Sequence, residues 1–278
     1  MESWVAPHLT GGIGNRLFEF AAALGAAEKW GKPAVFYTPM IQKNDHGPAD
    51  NILKLFPRVP VLHDEQQHAT YPEPNGHVFK YTPFPQSAPG DRTVILGYRQ
   101  SEKYFPVQAN LLKPDWSAFM DSQTKQSLLS KHRFTSDSVK NYTWFLHIRL
   151  GDYKVLPHHQ INIAPYYEKC LNEVPKGSHI ILFSDEPNLC GGWFTAVCGQ
   201  RSLEPIICME PDEIKSLWLM SQCHGGAIVA NSTFSWWGAY FARQEFGQAY
   251  KAFYPSVWGQ GLPPAFDVVP DWGIKIEV

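Results

Sequence analysis

Two hydrophobic periods take turns along this chain. Trp4 to His8 is a short apolar run that reads as a strand, and the turn Thr10-Gly11-Gly12-Ile13-Gly14-Asn15 follows it. From Arg16 to Trp30, Leu17, Phe20, Ala21, Leu24 and Ala27 recur at helical spacing, until Gly31 and Pro33 stop the helix. Pro33 to Tyr37 reads as a second strand, which completes a β-turn-α-β opening. From Pro39 to Pro89, prolines and polar residues predict loops with short elements. Thr93 to Tyr98 reads as a strand, Tyr104 to Leu112 and Trp116 to Lys131 read as helices around Pro114, and Phe134 to Asn141 reads as a linker.

The second half is more regular. Strands are expected at Thr143–Leu150, His179–Phe183, Pro205–Met209 and Gly226–Ala230. Helices are expected at Pro165–Val174, Asp212–Cys223 and Phe234–Gln244. Strand alternating with helix predicts an α/β fold with parallel, doubly wound sheets. The linker divides the chain into a domain over 1–138 and another over 139–278. The chain shows no internal repeat.

Composition narrows the function classes. The formal net charge is −2, which argues against a nucleic-acid partner. Aromatic residues make up 14% of the chain, a content that suits sugar handling and ordinary cores alike. The five cysteines form no CxxC pair, so neither a disulfide framework nor a zinc site is expected, and reduced thiols in the cytoplasm fit better. No apolar run is long enough to span a membrane, and the N-terminal residues lack the basic and apolar regions of a signal peptide.

Four stretches carry possible chemistry. Gly11 to Asn15 lets backbone approach a phosphate at a helix start, yet it lacks the third glycine and the acidic strand end of a dinucleotide fold and the Gly-Lys-Ser/Thr of a P-loop. Trp144 to Tyr153 is an apolar strand that ends in His147, Arg149, Gly151 and Asp152. The planar Arg149 fork suits phosphate oxygens, although a surface Arg–Asp pair is the plainer reading of that stretch alone. Ser184-Asp185-Glu186 ends another strand, where Asp185 could bond a ribose or base, or cap the next segment. Asn231-Ser232-Thr233-Phe234-Ser235-Trp236-Trp237-Gly238 sits between strand and helix, where hydroxyls and backbone N–H groups could accept a diphosphate. Together these stretches suit a nucleoside diphosphate held without a metal. The chain has no Asp-Xaa-Asp motif.

These residues also resemble a known family. Gly11-Gly12-Ile13-Gly14-Asn15-Arg16-Leu17-Phe18 is similar to the Gly-Gly-Leu-Gly-Asn-Gln-Met/Leu-Phe opening of glycosyltransferase family 11, the α-1,2-fucosyltransferases. His147-Ile-Arg149-Leu-Gly151-Asp152-Tyr153 resembles its His-Xaa-Arg-Arg-Gly-Asp-Tyr, and Phe183-Ser184-Asp185 resembles its Phe-Ser-Asp. Ala230 to Ala239 resembles its most specific signature, and the matches follow the family's order over most of the chain.

The resemblance implies a GT-B architecture, two Rossmann-like domains facing across a cleft, with the first on the acceptor side and the second binding GDP-fucose. It implies an inverting, metal-independent transfer of fucose to the 2-hydroxyl of a galactose-type glycan. Arg149 would neutralise the β-phosphate, with His147 and Asp152 shaping that loop or contacting the nucleotide. Gly12, Gly14 and Asn15 would face the donor, Asp185 and Asn231 would join them, and Ser232, Thr233 and Ser235 would hold the diphosphate. Leu150 stands where the family has a second Arg, and Arg16 where it has Gln. Arg16 could assist the diphosphate or lie on the surface. For the general base, Asp152 and the His158-His159 pair are the candidates. Transfer to another position or to a protein hydroxyl, and a silent nucleotide-sugar-binding protein, are the alternatives.

Overall fold

The computed structural model describes residues 1–43, 47–74, 79–262 and 264–278. It divides into two compact units, Met1–Ala118 with Phe266–Pro270, and Phe119–Ala265 with Asp271–Val278. Residues 119–138, expected with the first domain, belong to the second unit, and a short C-terminal segment returns to the first.

In the first unit, β1 (Trp4–Pro7) leads into α1 (Ile13–Trp30), then β2 (Phe36–Tyr37), α2 (Asn51–Leu55), β3 (Val61–Leu62), β4 (Ala69–Tyr71) and β5 (Arg92–Ile95). All its strand pairs are parallel: β1-β5-β4 form one sheet, β2-β3 pair beside it, and a bridge from Val5 to Ala34 links the two. Alternation along β1 gives the sheet two covered faces. Val5 packs with Ile95 and the small-residue side of α1, at Ala22, Ala23, Ala26 and Ala27. Trp4 and Ala6 pack with Val35, Tyr37 and Val94 on the other face. The stretch from Pro39 to Pro89 supplies α2, β3 and β4 as short elements, and its residues 44–46 and 75–78 lie outside those described.

The expected helix at Tyr104–Leu112 is instead two short 3-10 turns, Glu102–Tyr104 and Ala109–Leu112. Pro106 explains this: it pushes Phe105 into extended backbone (φ −71°, ψ 157°) and offers no N–H of its own.

The second unit begins with α3 (Ser122–Lys131), which starts later than expected because the Asp121 carboxylate caps it, accepting the Thr124 N–H at 2.7 Å. The expected linker holds a short helix, α4 (Asp137–Lys140). There follow β6 (Thr143–Ile148), α5 (Ala164–Asn172), β7 (His179–Ser184), α6 (Pro187–Gln200), β8 (Glu204–Ile207), α7 (Glu213–Ser221), β9 (Gly226–Ile228), α8 (Thr233–Phe246), β10 (Ala252–Pro255) and β11 (Ile274–Ile276). The sheet is wholly parallel, in the order β11-β10-β9-β6-β7-β8. Its direction of winding reverses between β6 and β9, the kind of switch point where open α/β sheets bind ligands.

Trp144, Leu146 and Ile148 of β6 face a core with Tyr166, Tyr167, Phe194, Ile228 and Phe253. Phe145 and His147 alternate to the other face, where His147 meets Phe234 of α8 at 5.7 Å. Sequence reading missed α6, whose Gly191 and Gly192 depress helix propensity, although Cys190, Phe194, Val197 and Cys198 are buried at helical spacing. It also missed β10 and β11, which are short. Among the described residues, no helix is long and apolar enough to cross a membrane.

Candidate active site

Three neighbouring strands of the second unit, β9, β6 and β7, deliver the expected polar residues to one edge of the sheet. Arg149 follows β6, and its side chain is 29% exposed. Its Nε and Nη2 donate to Asp152 Oδ1 at 3.1 and 2.7 Å, and Nη1 stands 3.0 Å from Asp185 Oδ2. Asp185, at the end of β7, uses its other oxygen to accept the Leu150 N–H at 2.9 Å. Asp185 therefore braces the neighbouring loop; in this structure it does not cap its own. Gly151 is needed beside it, since a Cβ there would strike the Asp185 carboxylate. Lys154 and Glu186 add an ion pair at the same edge.

His147 lies beneath this loop at 4% exposure. Tyr167 donates to its backbone carbonyl at 2.8 Å, and its Nδ1 has no hydrogen-bond partner among the described residues. Burial, helped by the Arg149 charge, lowers its pKa to about 3, so the ring is neutral at physiological pH. Burial likewise lowers His159 to about 4, with a further contribution from His158. A proton acceptor that weak is poorly matched to base catalysis near pH 7.

The α8 start lies across the switch point. Ser232 precedes the helix in extended backbone (φ −138°, ψ 128°), and its own side chain makes no capping hydrogen bond. The first-turn N–H groups and the helix dipole favour an anion there. Thr233 and Phe234 are partly exposed at this start. Ser235 is fully buried: its hydroxyl accepts the Ala230 N–H at 3.2 Å and donates to Ser232 O at 3.3 Å. Asn231 is 4% exposed, and its amide donates to His159 O at 3.3 Å and Trp258 O at 3.1 Å. Both side chains thus close the turn. Trp258 lies far from the motifs, and no sequence signal marked its carbonyl.

Gly12, Gly14 and Asn15 belong to the first unit. The left-handed conformation falls on Gly11 (φ 67°), while Gly12 (φ −77°, ψ 174°) is the uncapped start of α1. Asn15 Oδ1 accepts from Gln100 Nε2 at 3.2 Å. Arg16 is 1% exposed, so it does not lie on the surface: Nη1 donates to Pro48 O at 3.2 Å and Nη2 to Gln42 O at 3.1 Å. Beside it the buried Glu19 accepts the Thr10 N–H at 2.8 Å, and burial raises its pKa well above the carboxylate range. No group of three or more His, Cys, Asp or Glu among the described residues could hold a metal.

The family model for glycosyl transferase family 11 matches residues 64–247, which include the Arg149 loop, Asp185 and the α8 start. The chain belongs to glycosyl transferase family 11. Two relatives come from Escherichia coli. The O-antigen biosynthesis glycosyltransferase WbnK is 37% identical over 105 residues, covering 35% of this chain and 34% of that protein. An alpha-1,2-colitosyltransferase is 27% identical over 191 residues, covering 66% of this chain and 62% of that protein. The matches therefore span about a third and about three fifths of those relatives. Among solved structures, POFUT1 in complex with GDP shares the fold at 13% identity and a TM-score of 0.51, over 90% of this chain and 97% of that one. This fold is GT-B.

Proposed function

We propose that this family 11 member transfers fucose from GDP-fucose, with inversion and without a metal, to the 2-hydroxyl of a galactose-type glycan. The observation that carries the reading is the convergence of Arg149, Asp185 and the α8 start at the switch point of one parallel sheet. The α-1,2 linkage in the name of one relative supports the 2-hydroxyl, and the O-antigen role in the name of the other supports a glycan acceptor.

In this proposal the acceptor hydroxyl attacks the anomeric carbon, releasing its proton to solvent, as the bond to the β-phosphate oxygen breaks. Negative charge grows on the departing diphosphate, and Arg149 with the first-turn N–H groups of α8 meets it. Ser232 and Thr233 hold the diphosphate, while Asn231 and Ser235 act through the turn they close. Asp152 and Asp185 orient the guanidinium. The donor contacts of Gly12, Gly14 and Asn15, and an acceptor role for the first unit, rest on the sequence motif. Five free, buried cysteines support a reducing, cytoplasmic setting.

The test is thermal stabilisation without metal by GDP-fucose, GDP, UDP and NAD at equal concentration. Guanine nucleotides alone should raise the melting temperature, and no shift with saturating GDP would sink the reading. Acceptor screening with linkage analysis then decides the bond formed. A second donor, a colitose nucleotide, belongs in the panel because of the colitosyltransferase relative.

A further inference from the structure

The proposed donor site, on which this inference rests, uses two anion-binding groups on opposite sides of the switch point. One is the Arg149 guanidinium after β6, and the other is the α8 start after β9. The side chain of Tyr153 joins them. Its hydroxyl donates to the Asn231 backbone carbonyl at 2.9 Å. Its ring lies parallel to the His159 imidazole, 4.0 Å away and 5° from coplanar, and the Arg149 guanidinium carbon is 5.6 Å from the ring centre.

Both ends of this strut are held. Asn231 is pinned by its own amide to two carbonyls, and Arg149 by two carboxylates. A phenol ring is a rigid spacer with few rotatable bonds. Its pKa is raised by the low-dielectric surroundings, so the hydroxyl remains a donor through the working pH range.

We infer that Tyr153 is a positioning residue that sets the spacing between Arg149 and the α8 start, and so makes the site select a diphosphate over a monophosphate. Either group alone can attract one phosphate. Two linked phosphates gain from both groups only when their separation matches, and that separation is what the Tyr153 strut holds.

The experiment compares GDP and GMP affinities by calorimetry for the wild-type protein and Tyr153→Phe. Wild type should bind GDP more tightly than GMP. Tyr153→Phe should lower the GDP-to-GMP affinity ratio by about tenfold, the worth of a lost hydrogen bond at the upper end of its range. A residue that only supports the fold would weaken both nucleotides together, so an unchanged ratio overturns the inference. Should Tyr153→Phe not fold, Tyr153→His, which keeps a ring beside His159 but lacks the phenol hydroxyl that reaches Asn231, carries the same expectation and the same refutation. Failure of wild type to bind GDP is a separate result, which overturns the donor reading and this inference with it.

Discussion

Arg149 and Asp185 stand at the ends of neighbouring parallel strands and pair at 3.0 Å, while the same carboxylate takes the Leu150 N–H. The pair is partly exposed, so its own contribution to stability is small. Its consequence is geometric, since the guanidinium plane is held against two carboxylates before any ligand arrives.

Arg149→Ala should therefore lower kcat by about 10²–10³, the cost of losing one transition-state charge partner. The melting temperature without ligand should hardly move, and the shift produced by GDP should vanish. Arg149→Lys should recover little, because an ammonium cannot reproduce the two-sided fork. Steady-state kinetics and melting curves check this, and near-normal turnover by Arg149→Ala would remove Arg149 from the mechanism.

Arg16→Gln, which restores the residue usual in the family, should destabilise this protein by about 2 kcal/mol. It removes buried, charged hydrogen bonds to the carbonyls of Pro48 and Gln42. GDP affinity should stay at the wild-type value. A chemical-denaturation midpoint equal to wild type would show that these two hydrogen bonds do not support the fold.

Trp237→Ala should cost about 3–5 kcal/mol, since the ring is fully buried and packs on Trp236, Tyr240 and Phe241. The urea midpoint measures it. A loss below about 1 kcal/mol would mean that the α8 core tolerates the cavity.

Stability should rise with pH across the range from about 3 to about 6.5. His147 and His224 titrate in the folded protein at about 3 and His159 at about 4, against 6.5 when unfolded. In that window the unfolded chain binds more protons, so acid favours unfolding, and the stabilisation is complete only above the unfolded value. Glu19 acts in the opposite sense, because its raised pKa favours the folded state at low pH and the benefit fades as the carboxyl ionises. Denaturation midpoints from pH 4 to 8 check the net slope. His147→Phe should flatten it.

Much of this protein was legible before its structure. The 3.6 period from Leu17 to Ala27 marked α1, and the apolar run from Trp144 leading into His147 and Arg149 marked β6. Local rules sufficed there because burial repeats with the period of the element. They failed at α6, where glycines masked a helix that packing sustains, and at Tyr104–Leu112, where the effect of Pro106 outweighed apolar spacing.

The sequence by itself determined which chemical groups lie at strand ends: a guanidinium, an acid and a run of hydroxyls, each just past an apolar run. Tertiary structure alone decided what each group does there. Parallel pairing of β6 with β7 turned Asp185 from a possible cap into a brace for Arg149, and pairing with β9 brought Asn231 to the Tyr153 hydroxyl. The same side chains could point to solvent in an isolated strand. Hydrogen bonds between residues far apart in the chain depend on sheet order and register, which no local pattern encodes.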